Sequence, residues 1–141
     1  MKLFAVYIGG DIKGANIELH DMRFVLADSI ESSYDEVRRQ WWGTPSSLHI
    51  DCWCELSRAD GYRILLKPEP STDTKKLYYV NVGGYDGKEF AELHKNIFVV
   101  EETESKAKVK NQGIWRNGRV RKTPTIHNNA KSSPLVKVCL E

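Results

Sequence analysis

The alternation of apolar and polar positions predicts two strands at the start of the chain. Residues 2–8 alternate and are rich in aromatic and β-branched side chains, which predicts a strand that ends in a Gly9-Gly10 turn. Residues 11–21 have no periodic pattern and predict an irregular connection. Residues 22–26 predict a short second strand, so the chain opens with two strands joined by a loop.

A helical pattern follows these two strands. Asp28 and Glu31 have the spacing of a capping box, and Gly43-Thr44-Pro45 ends the pattern. Between these signals, apolar side chains recur along one helical face. The residues of this stripe are Ile30, Tyr34, Val37 and Trp41. The sequence therefore predicts one amphipathic helix whose apolar face packs against the strands.

Two further apolar segments predict a hairpin after the helix. They cover residues 49–56 and 62–67, and the turn between them, at residues 57–61, contains a glycine. Residues 68–73 are rich in proline and polar side chains, which predicts a linker.

The cysteines of the first segment predict a buried strand face. Cys52 and Cys54 share this face with Ile50 and Leu56, which favours two thiols in the core. A zinc site on these thiols would need a second pair of ligands at suitable spacing, and none follows. The opposite face carries His49, Asp51, Trp53 and Glu55.

The chain repeats itself at an offset of 74 residues. Residues 2–26 match residues 76–100 without a gap, with ten identities in 25 positions. Average composition gives about one or two identities by chance, so the pattern predicts a tandem duplication. The identical segments include Gly9-Gly10 with Gly83-Gly84 and Glu18-Leu19-His20 with Glu92-Leu93-His94.

The repeat predicts an α+β fold in which two copies of a roughly β-β-α-β-β unit are related by a pseudo-twofold axis. The first copy covers residues 1–67, the linker residues 68–75 and the second copy residues 76–141. Each copy is small, so we expect the two to pack together as one domain.

The second copy is eroded. In its helix, near residues 103–114, Ala107 and Ile114 face one way, and lysines crowd the remaining positions. Residues 117–134 are polar and divergent, and only residues 135–140 predict a strand.

Several motifs are similar to those of a known family. They are Lys-Leu-Phe at 2–4, Tyr-Ile-Gly-Gly at 7–10, Gly-Ala-Asn-Ile-Glu-Leu-His-Asp at 14–21, Leu-His-Ile-Asp at 48–51, Gly-Tyr-Arg-Ile at 61–64 and Leu-Tyr-Tyr-Val-Asn-Val-Gly-Gly-Tyr at 77–85. The chain resembles a small bacterial family, domain-of-unknown-function family fifteen-forty-three, whose members carry one or two copies of the domain. The resemblance is specific over the first 100 residues and thins after about residue 105. It implies no activity, substrate or catalytic residue.

Composition and charge narrow the function classes. The chain has 141 residues, 40% of them hydrophobic, which suffices for a core. No apolar run approaches the roughly 18 residues of a membrane span, and the apolar N-terminus lacks a signal-peptide cleavage site, so we expect a cytoplasmic protein. Three cysteines are too few for a disulfide scaffold. The net charge of +2 divides into −3 over residues 1–70 and +5 over residues 71–141.

A basic stretch lies in the second copy. Residues 106–122 contain seven basic and no acidic residues, with the aromatic Trp115 among them, a pattern that suits phosphate or nucleic-acid contact. Asn117-Gly118 also predicts a hairpin turn at a charged sheet edge, and a pI near 8.4 is low for a dedicated nucleic-acid-binding protein. The sequence favours the basic hairpin or loop, and nucleic-acid contact stays open as the alternative. The candidate contact residues are Arg116, Arg119, Arg121 and Lys122.

The four histidines are the main candidates for chemistry. His20 and His94 are matched by the repeat, and His127 lies near the position that would match His49. Residues around them supply the side chains of a ligand pocket, a His/carboxylate metal site or a general acid–base pair. The sequence favours structural or surface roles for the histidines over these alternatives. The candidate pocket residues are Glu18, His20, His49, Asp51 and His94. No metal is assigned, and His20 and His49 are the candidate ligands.

The two copies differ around these histidines. In the first copy, His20 precedes Asp21 and is accompanied by the Leu-His-Ile-Asp segment, whereas in the second copy His94 precedes Lys95. The second copy also lacks a counterpart of Asp51 near Asn128 or Asn129. The sequence therefore predicts that the first copy is the functional one and that the second binds cations poorly.

The sequence favours a non-catalytic binding or interaction module, because it contains neither a Gly-x-Ser-x-Gly elbow nor a Gly-rich phosphate loop. One alternative is a small enzyme or metal-binding protein that uses the His/carboxylate pocket between the repeats. Another is a weak nucleic-acid binder that uses residues 106–122. No cofactor is assigned. A small molecule, a protein or a second copy of the chain stays open as partner, and no membrane association is expected.

Overall fold

The structure of the protein, a computed structural model, shows many strands and two α-helices in the part of the chain that it describes, which agrees with the predicted α+β class. It divides into two compact units, Met1–Ser57 and Arg58–Glu141. Residues 58–67, assigned to the first copy from the sequence, lie in the second unit, and the repeat boundaries themselves stay a prediction. The described residues are 1–68, 73–84, 87–111, 125–128 and 137–140.

The first unit is a three-stranded antiparallel sheet covered on one face by a helix. Its elements are β1 (Lys2–Gly10), β2 (Leu19–Ala27), α1 (Tyr34–Gln40) and β3 (His49–Glu55). The strand order is β2-β1-β3, so β1 is the central strand. Short 3-10 helices at Glu31–Ser33 and Pro45–Ser47 lead into α1 and β3.

The core of the first unit lies between α1 and one sheet face. Three residues of the predicted helical stripe are buried, but Tyr34 is 40% exposed. Ser33 lies in the core instead, and its hydroxyl donates a hydrogen bond of 2.6 Å to the carbonyl of Ile30. The core residues are Phe4, Val6, Ile8, Val25, Ala27, Ile30, Val37 and Trp41.

The helix entry differs by one residue from the predicted capping box. Ser29 and Ser32 exchange hydrogen bonds between backbone N–H and side-chain oxygen, at 3.1 Å and 3.3 Å. This is the reciprocal pattern that was predicted for Asp28 and Glu31. Serine hydroxyls are short enough to close this turn, and the Asp28 carboxylate is paired with the N-terminal amine of Met1 instead.

Gly9 and Gly10 continue β1 and do not form a turn, so the predicted Gly-Gly turn is wrong. In the β1–β2 pairing, Gly9 lies opposite His20 and Gly10 opposite Leu19. The second strand therefore begins at Leu19, before the predicted start at residue 22. The glycines are needed because side chains pack over them: a Cβ at Gly10 would lie 2.7 Å from Cζ2 of Trp41.

The predicted hairpin between residues 49–56 and 62–67 is also wrong. The first of these segments forms β3, which pairs with β1 along the other edge of the sheet from β2. The sequence of such a strand does not specify which strand it pairs with, because the same alternation of polar and apolar residues is compatible with any antiparallel neighbour.

A β-bulge at Asp51 changes which side chains face the core. Ile50 lies opposite Ile8 and Cys52 lies opposite Tyr7, so Asp51 is an extra residue without a partner. One extra residue reverses the alternation beyond it. Trp53 therefore turns to the core face.

The bulge explains why the predicted burial of the two thiols is wrong. Cys52 and Cys54 both lie exposed, opposite Tyr7 and Ala5. On the other face of the sheet, the rings of Trp53 and Phe4 meet edge to face, with centroids 5.7 Å apart.

The second unit contains the elements β4 (Arg58–Ala59), β5 (Tyr62–Lys67), β6 (Lys76–Gly84), β7 (Leu93–Glu101), α2 (Glu104–Asn111), β8 (Thr125–Asn128) and β9 (Lys137–Leu140). Its described strands form two three-stranded sheets, ordered β4-β5-β9 and β7-β6-β8. Ala107, on α2, is buried in the core of this unit. Ile114, which the sequence places on the same helix face, lies outside the described residues.

The β6–β7 pairing has the register of the β1–β2 pairing. Gly83 lies opposite His94, as Gly9 lies opposite His20. Gly83-Gly84 therefore also lies within a strand, and the turn predicted there is wrong.

A tight turn joins β4 and β5. Asp60 and Gly61 both have positive φ, 54° and 86°, as the turn of a two-residue hairpin requires. The Asp60 carboxylate also accepts hydrogen bonds from the backbone N–H of Val100 and from Nζ of Lys110, which fixes the turn to β7 and α2. Neither α-helix in the described part of the chain is long and apolar enough to cross a lipid bilayer.

Candidate metal centre

Two histidines flank the same glycine of the central strand in the first unit. His20 on β2 and His49 on β3 each lie opposite Gly9 on β1. Paired strands lie about 4.8 Å apart, so side chains on one face of the two outer strands converge over the central strand. The sheet thereby joins two distant parts of the sequence at one point.

Gly9 provides the space in which these side chains meet. A Cβ at this position would lie 2.9 Å from Cδ2 of His20 and 2.9 Å from Nε2 of His49, and it would collide with the carboxylate of Glu18. Any other residue at position 9 would displace the histidines or the carboxylate. The glycine is therefore explained by the cluster above it.

Glu18 joins the two histidines. Its Oε1 lies 2.6 Å from Nε2 of His49 and 3.5 Å from Nε2 of His20. One donor atom from each of the three residues lies within 4.8 Å of the other two. We call Glu18, His20 and His49 the three-donor cluster.

Asp51 lies beside the three-donor cluster, on the strand face that it shares with His49. Its Oδ1 lies 3.3 Å from Nε2 of His49, and its Oδ2 lies 3.4 Å from Nε2 of His20. The carboxylate therefore faces both imidazoles, whereas Trp53, beyond the β-bulge, turns to the other face.

Backbone and aromatic contacts orient the two imidazoles. Nδ1 of His49 donates a hydrogen bond of 3.0 Å to the carbonyl of Ser47, which leaves Nε2 as the nitrogen that faces Glu18. This hydrogen bond, followed by the negative charges of Glu18 and Asp51, raises the pKa of His49 above its usual 6.5. The ring of His20 stacks on Tyr7, with centroids 5.4 Å apart and an interplanar angle of 5°.

Tyr7 belongs to the same sheet face as the cluster. Its burial, followed by the negative charge of Asp51, raises the pKa of its phenol, so Tyr7 stays protonated at neutral pH. The stacked ring restricts the orientations open to His20.

The cluster is accessible to solvent. The side chains of Glu18, His20, His49 and Asp51 are between 33% and 46% exposed. An ion or a small molecule can therefore reach them from solution.

The arrangement has the chemistry of a transition-metal site. Imidazole nitrogen and carboxylate oxygen bind zinc at about 2.0–2.2 Å, so two ligands of a tetrahedral ion lie roughly 3.3 Å apart. The distance of 3.5 Å from Glu18 to His20 is close to this value. Nε2 of His49 and Oε1 of Glu18 are closer, at 2.6 Å, because they share a hydrogen bond, and a bound ion would take the place of its proton. A backbone carbonyl that accepts from the distal nitrogen is the usual support of a metal-binding histidine.

The second unit has part of this arrangement. Nε2 of His94 lies 3.8 Å from Oε2 of Glu92, and Nδ1 of His94 lies 2.8 Å from Oδ1 of Asn81. Asn81 has the register position of Tyr7. Glu92 and His94 match Glu18 and His20 of the first unit. Among the described residues, the second unit therefore has two metal-donor side chains at this place, whereas the first unit has three.

His127 does not occupy the position of His49. It lies opposite Tyr79 in the β6–β8 pairing, and the matching pairing in the first unit is that of Cys54 with Ala5. The expectation that His127 lies near the position that matches His49 is therefore wrong.

Four of the five predicted pocket residues lie together, and the fifth, His94, lies in the second compact unit. Two groups that support the site, the ring of Tyr7 and the carbonyl of Ser47, are not among the predicted site residues. The Tyr-Ile-Gly-Gly motif contained a signal for Tyr7, because Tyr7 is two residues from Gly9 and so shares its strand face. The predicted phosphate contacts Arg116, Arg119, Arg121 and Lys122 lie outside the described residues.

Comparisons with known proteins give a family and a related structure. The model of a family described as Domain of Unknown Function (DUF1543) matches residues 15–66, a segment that includes the whole three-donor cluster and Asp51. The crystal structure of a protein Il1583 from Idiomarina loihiensis is similar at 34% sequence identity, over 99% of this chain and 84% of that chain, with a TM-score of 0.72. A comparison with curated proteins finds no match.

Proposed function

The chain belongs to the DUF1543 family, which assigns no activity, and we propose from the site itself that the first unit binds one divalent transition-metal ion. The ligands are the three-donor cluster, Glu18, His20 and His49. The observation that carries this proposal is the convergence of their donor atoms, within 4.8 Å of one another, over a glycine that leaves room for them.

The donor set favours zinc and neighbouring transition metals over magnesium or calcium. Imidazole suits zinc, copper, iron and nickel, whereas calcium and magnesium prefer oxygen ligands. Two of the three donors are imidazole nitrogens, and the third carries a negative charge. The carboxylate of Asp51 adds a second negative charge beside the ion.

Metal binding is consistent with the non-catalytic binding or interaction module that the sequence favours. The exposed cluster supports a binding role, and the exposed free thiols Cys52 and Cys54 fit a reducing, cytoplasmic setting.

We also propose that the chain arose by tandem duplication of one unit, with repeat boundaries at residues 1–67 and 76–141. The equal registers of the β1–β2 and β6–β7 pairings support this origin, since both follow the offset of 74 residues. After duplication, the second unit kept Glu92 and His94 but acquired Asn81 in the position of Tyr7. The metal site is accordingly proposed for the first unit alone.

Isothermal titration of untagged, metal-stripped protein with zinc chloride tests the proposal. The expected result is one zinc ion per chain, with affinity lowered at least tenfold by Glu18→Gln, His20→Gln or His49→Gln. Glu92→Gln and His94→Gln are the matched controls, because they change the same motif in the second unit, and they should leave binding unchanged. Absence of binding, or equal binding by His20→Gln and His94→Gln, would overturn the proposal.

A further inference from the structure

We propose that an ion held by the three-donor cluster activates a water molecule, and that Asp51 takes up its proton in the hydrolysis of an uncharged carboxylic ester. This inference rests on the proposed metal site. It goes beyond metal binding because it assigns a water molecule to the free coordination position of the ion and a proton-accepting role to Asp51.

The ligand count leaves room for water. Zinc sites with three protein ligands keep a position for water or substrate, and a His₂Glu set is one of the known catalytic combinations. The cluster offers one glutamate and two histidines, and these side chains are 38% to 46% exposed. An ion bound by them is therefore open to solvent, and the bound water is more acidic than bulk water.

Asp51 is close enough to interact with that water. Each of its oxygens lies within 3.4 Å of one imidazole Nε2, and an ion bonded to that nitrogen lies a further 2.1 Å away at most. The oxygen is thus no more than about 5.5 Å from the ion. A water molecule bound on the side of the ion that faces Asp51 comes within hydrogen-bond reach when this distance is about 4.9 Å or less. The distances of 3.3 Å and 3.4 Å from Asp51 to the imidazoles would also suit a ligand, so the zinc affinity of Asp51→Asn distinguishes proton acceptance from ligation.

The charge of the site favours an uncharged substrate. A divalent ion together with the carboxylates of Glu18 and Asp51 has no net charge. In the part of the chain that the structure describes, the ion pairs of these side chains join only the carboxylates and imidazoles of the cluster. Phosphate esters are normally bound by Arg or Lys, and no such contact is present among these pairs.

The reaction balances without another reactant. The water oxygen forms a bond to the acyl carbon, and one water proton passes to Asp51. The negative charge on the former carbonyl oxygen is stabilised by the ion. When the bond between the acyl carbon and the alkoxy oxygen breaks, the proton passes from Asp51 to the departing alkoxide, which gives a carboxylic acid and an alcohol.

The test is hydrolysis of 4-nitrophenyl acetate by zinc-loaded protein, measured beside a zinc titration of every variant. Zinc should raise the rate above those of the metal-free protein and of free zinc. Asp51→Asn should lower the zinc-dependent rate by about 100-fold, the range for loss of a general base, while zinc affinity changes less than tenfold. Glu55→Gln is the matched control, since Glu55 lies on the same strand but turns to the other face and pairs with Lys2.

The outcomes separate the two proposals. One zinc ion bound without any zinc-dependent hydrolysis overturns the hydrolytic role and leaves the metal site standing. Equal rates for Asp51→Asn and Glu55→Gln overturn the role of Asp51, and so does loss of zinc binding in Asp51→Asn, which would make Asp51 a ligand. If Asp51→Asn does not fold, the comparison of zinc-loaded with metal-free wild-type protein still decides whether hydrolysis occurs.

Discussion

Nε2 of His49 lies 2.6 Å from Oε1 of Glu18, although the two residues belong to opposite edges of the first sheet. Glu18 immediately precedes β2 and His49 begins β3, and β1 holds the two edges together. The cluster therefore exists only when all three strands have paired. Metal binding should accordingly be coupled to the folding of the first unit.

Replacement of Gly9 by alanine should disrupt the cluster. The new methyl group would occupy the space of the Glu18 carboxylate and approach His49 Nε2 to 2.9 Å. We expect zinc affinity to fall at least tenfold and stability to fall by about 1–3 kcal/mol, the usual cost of overpacking. Calorimetric zinc titration and urea unfolding measure the two effects.

Gly83→Ala is the matched control for this change. It adds the same methyl group at the same register position of the second unit, where it meets Glu92. It should leave zinc binding intact. Equal loss of zinc affinity in the two variants would contradict the assignment of the site to the first unit.

Removal of the Tyr7 ring should weaken metal binding through His20. Tyr7→Ala removes the ring that stacks on this imidazole, and loss of such a supporting contact typically costs 10- to 100-fold in metal affinity. Tyr7→Phe keeps the ring and should retain affinity within a few-fold. If the two variants bind zinc equally, the stacking contact does not position His20.

The raised pKa of His49 predicts opposite pH trends for the metal-free and the zinc-bound protein. Without metal, protonated His49 is favoured by the Ser47 carbonyl and then by Glu18 and Asp51. Protonated His49 therefore stabilises the folded protein at pH values below its unfolded-state pKa of about 6.5. This stabilisation is lost as the pH rises through the higher pKa that His49 has in the folded protein. Zinc needs the neutral imidazole, so zinc affinity should increase over the same range.

Thermal unfolding of wild type and His49→Gln, without metal, measures the first trend. The wild type should exceed the variant in Tm by more at about pH 6 than at about pH 8. A larger difference at the higher pH would contradict the assigned contacts of His49. Zinc titrations at the two pH values measure the second trend.

The bulge at Asp51 predicts that two thiols react in the folded protein. Cys52 and Cys54 are both exposed, and burial, followed by the charge of Cys52, raises the pKa of Cys54. Because the thiolate is the reactive form, iodoacetamide should modify Cys54 more slowly than it modifies a cysteine in an unstructured peptide. Peptide mass spectrometry of protein labelled without denaturant measures both rates. Labelling that requires urea would show that the thiols are buried.

The residue types of the site could be predicted from the sequence, but their geometry depended on strand pairing. Glu18, His20, His49 and Asp51 were identifiable as a His/carboxylate set. The meeting of His20 and His49 follows from their pairing with a shared glycine, and pairing partners are not encoded in a single strand's alternation.

The bulge limited the prediction of side-chain orientation. A β-bulge cannot be located from the sequence of its own strand, because it is defined by the register with the paired strand. For this reason, the alternation of the sequence predicted that Cys52 and Cys54 are buried and that Trp53 shares a strand face with Asp51. The helix and the paired strands of the repeat were more predictable, because their apolar positions recur over a longer range.

X-ray absorption at the zinc K-edge of the one-to-one zinc complex identifies the ligands of the ion. If Glu18, His20 and His49 bind zinc, the spectrum shows nitrogen and oxygen ligands at about 2.0–2.2 Å, with the outer-shell scattering of two imidazoles. One of these imidazole contributions should disappear in His20→Gln loaded with excess zinc, and neither should change in His94→Gln. Sulfur at about 2.3 Å, which would place zinc on the cysteines, or a spectrum without imidazole would show that the three-donor cluster does not bind the ion.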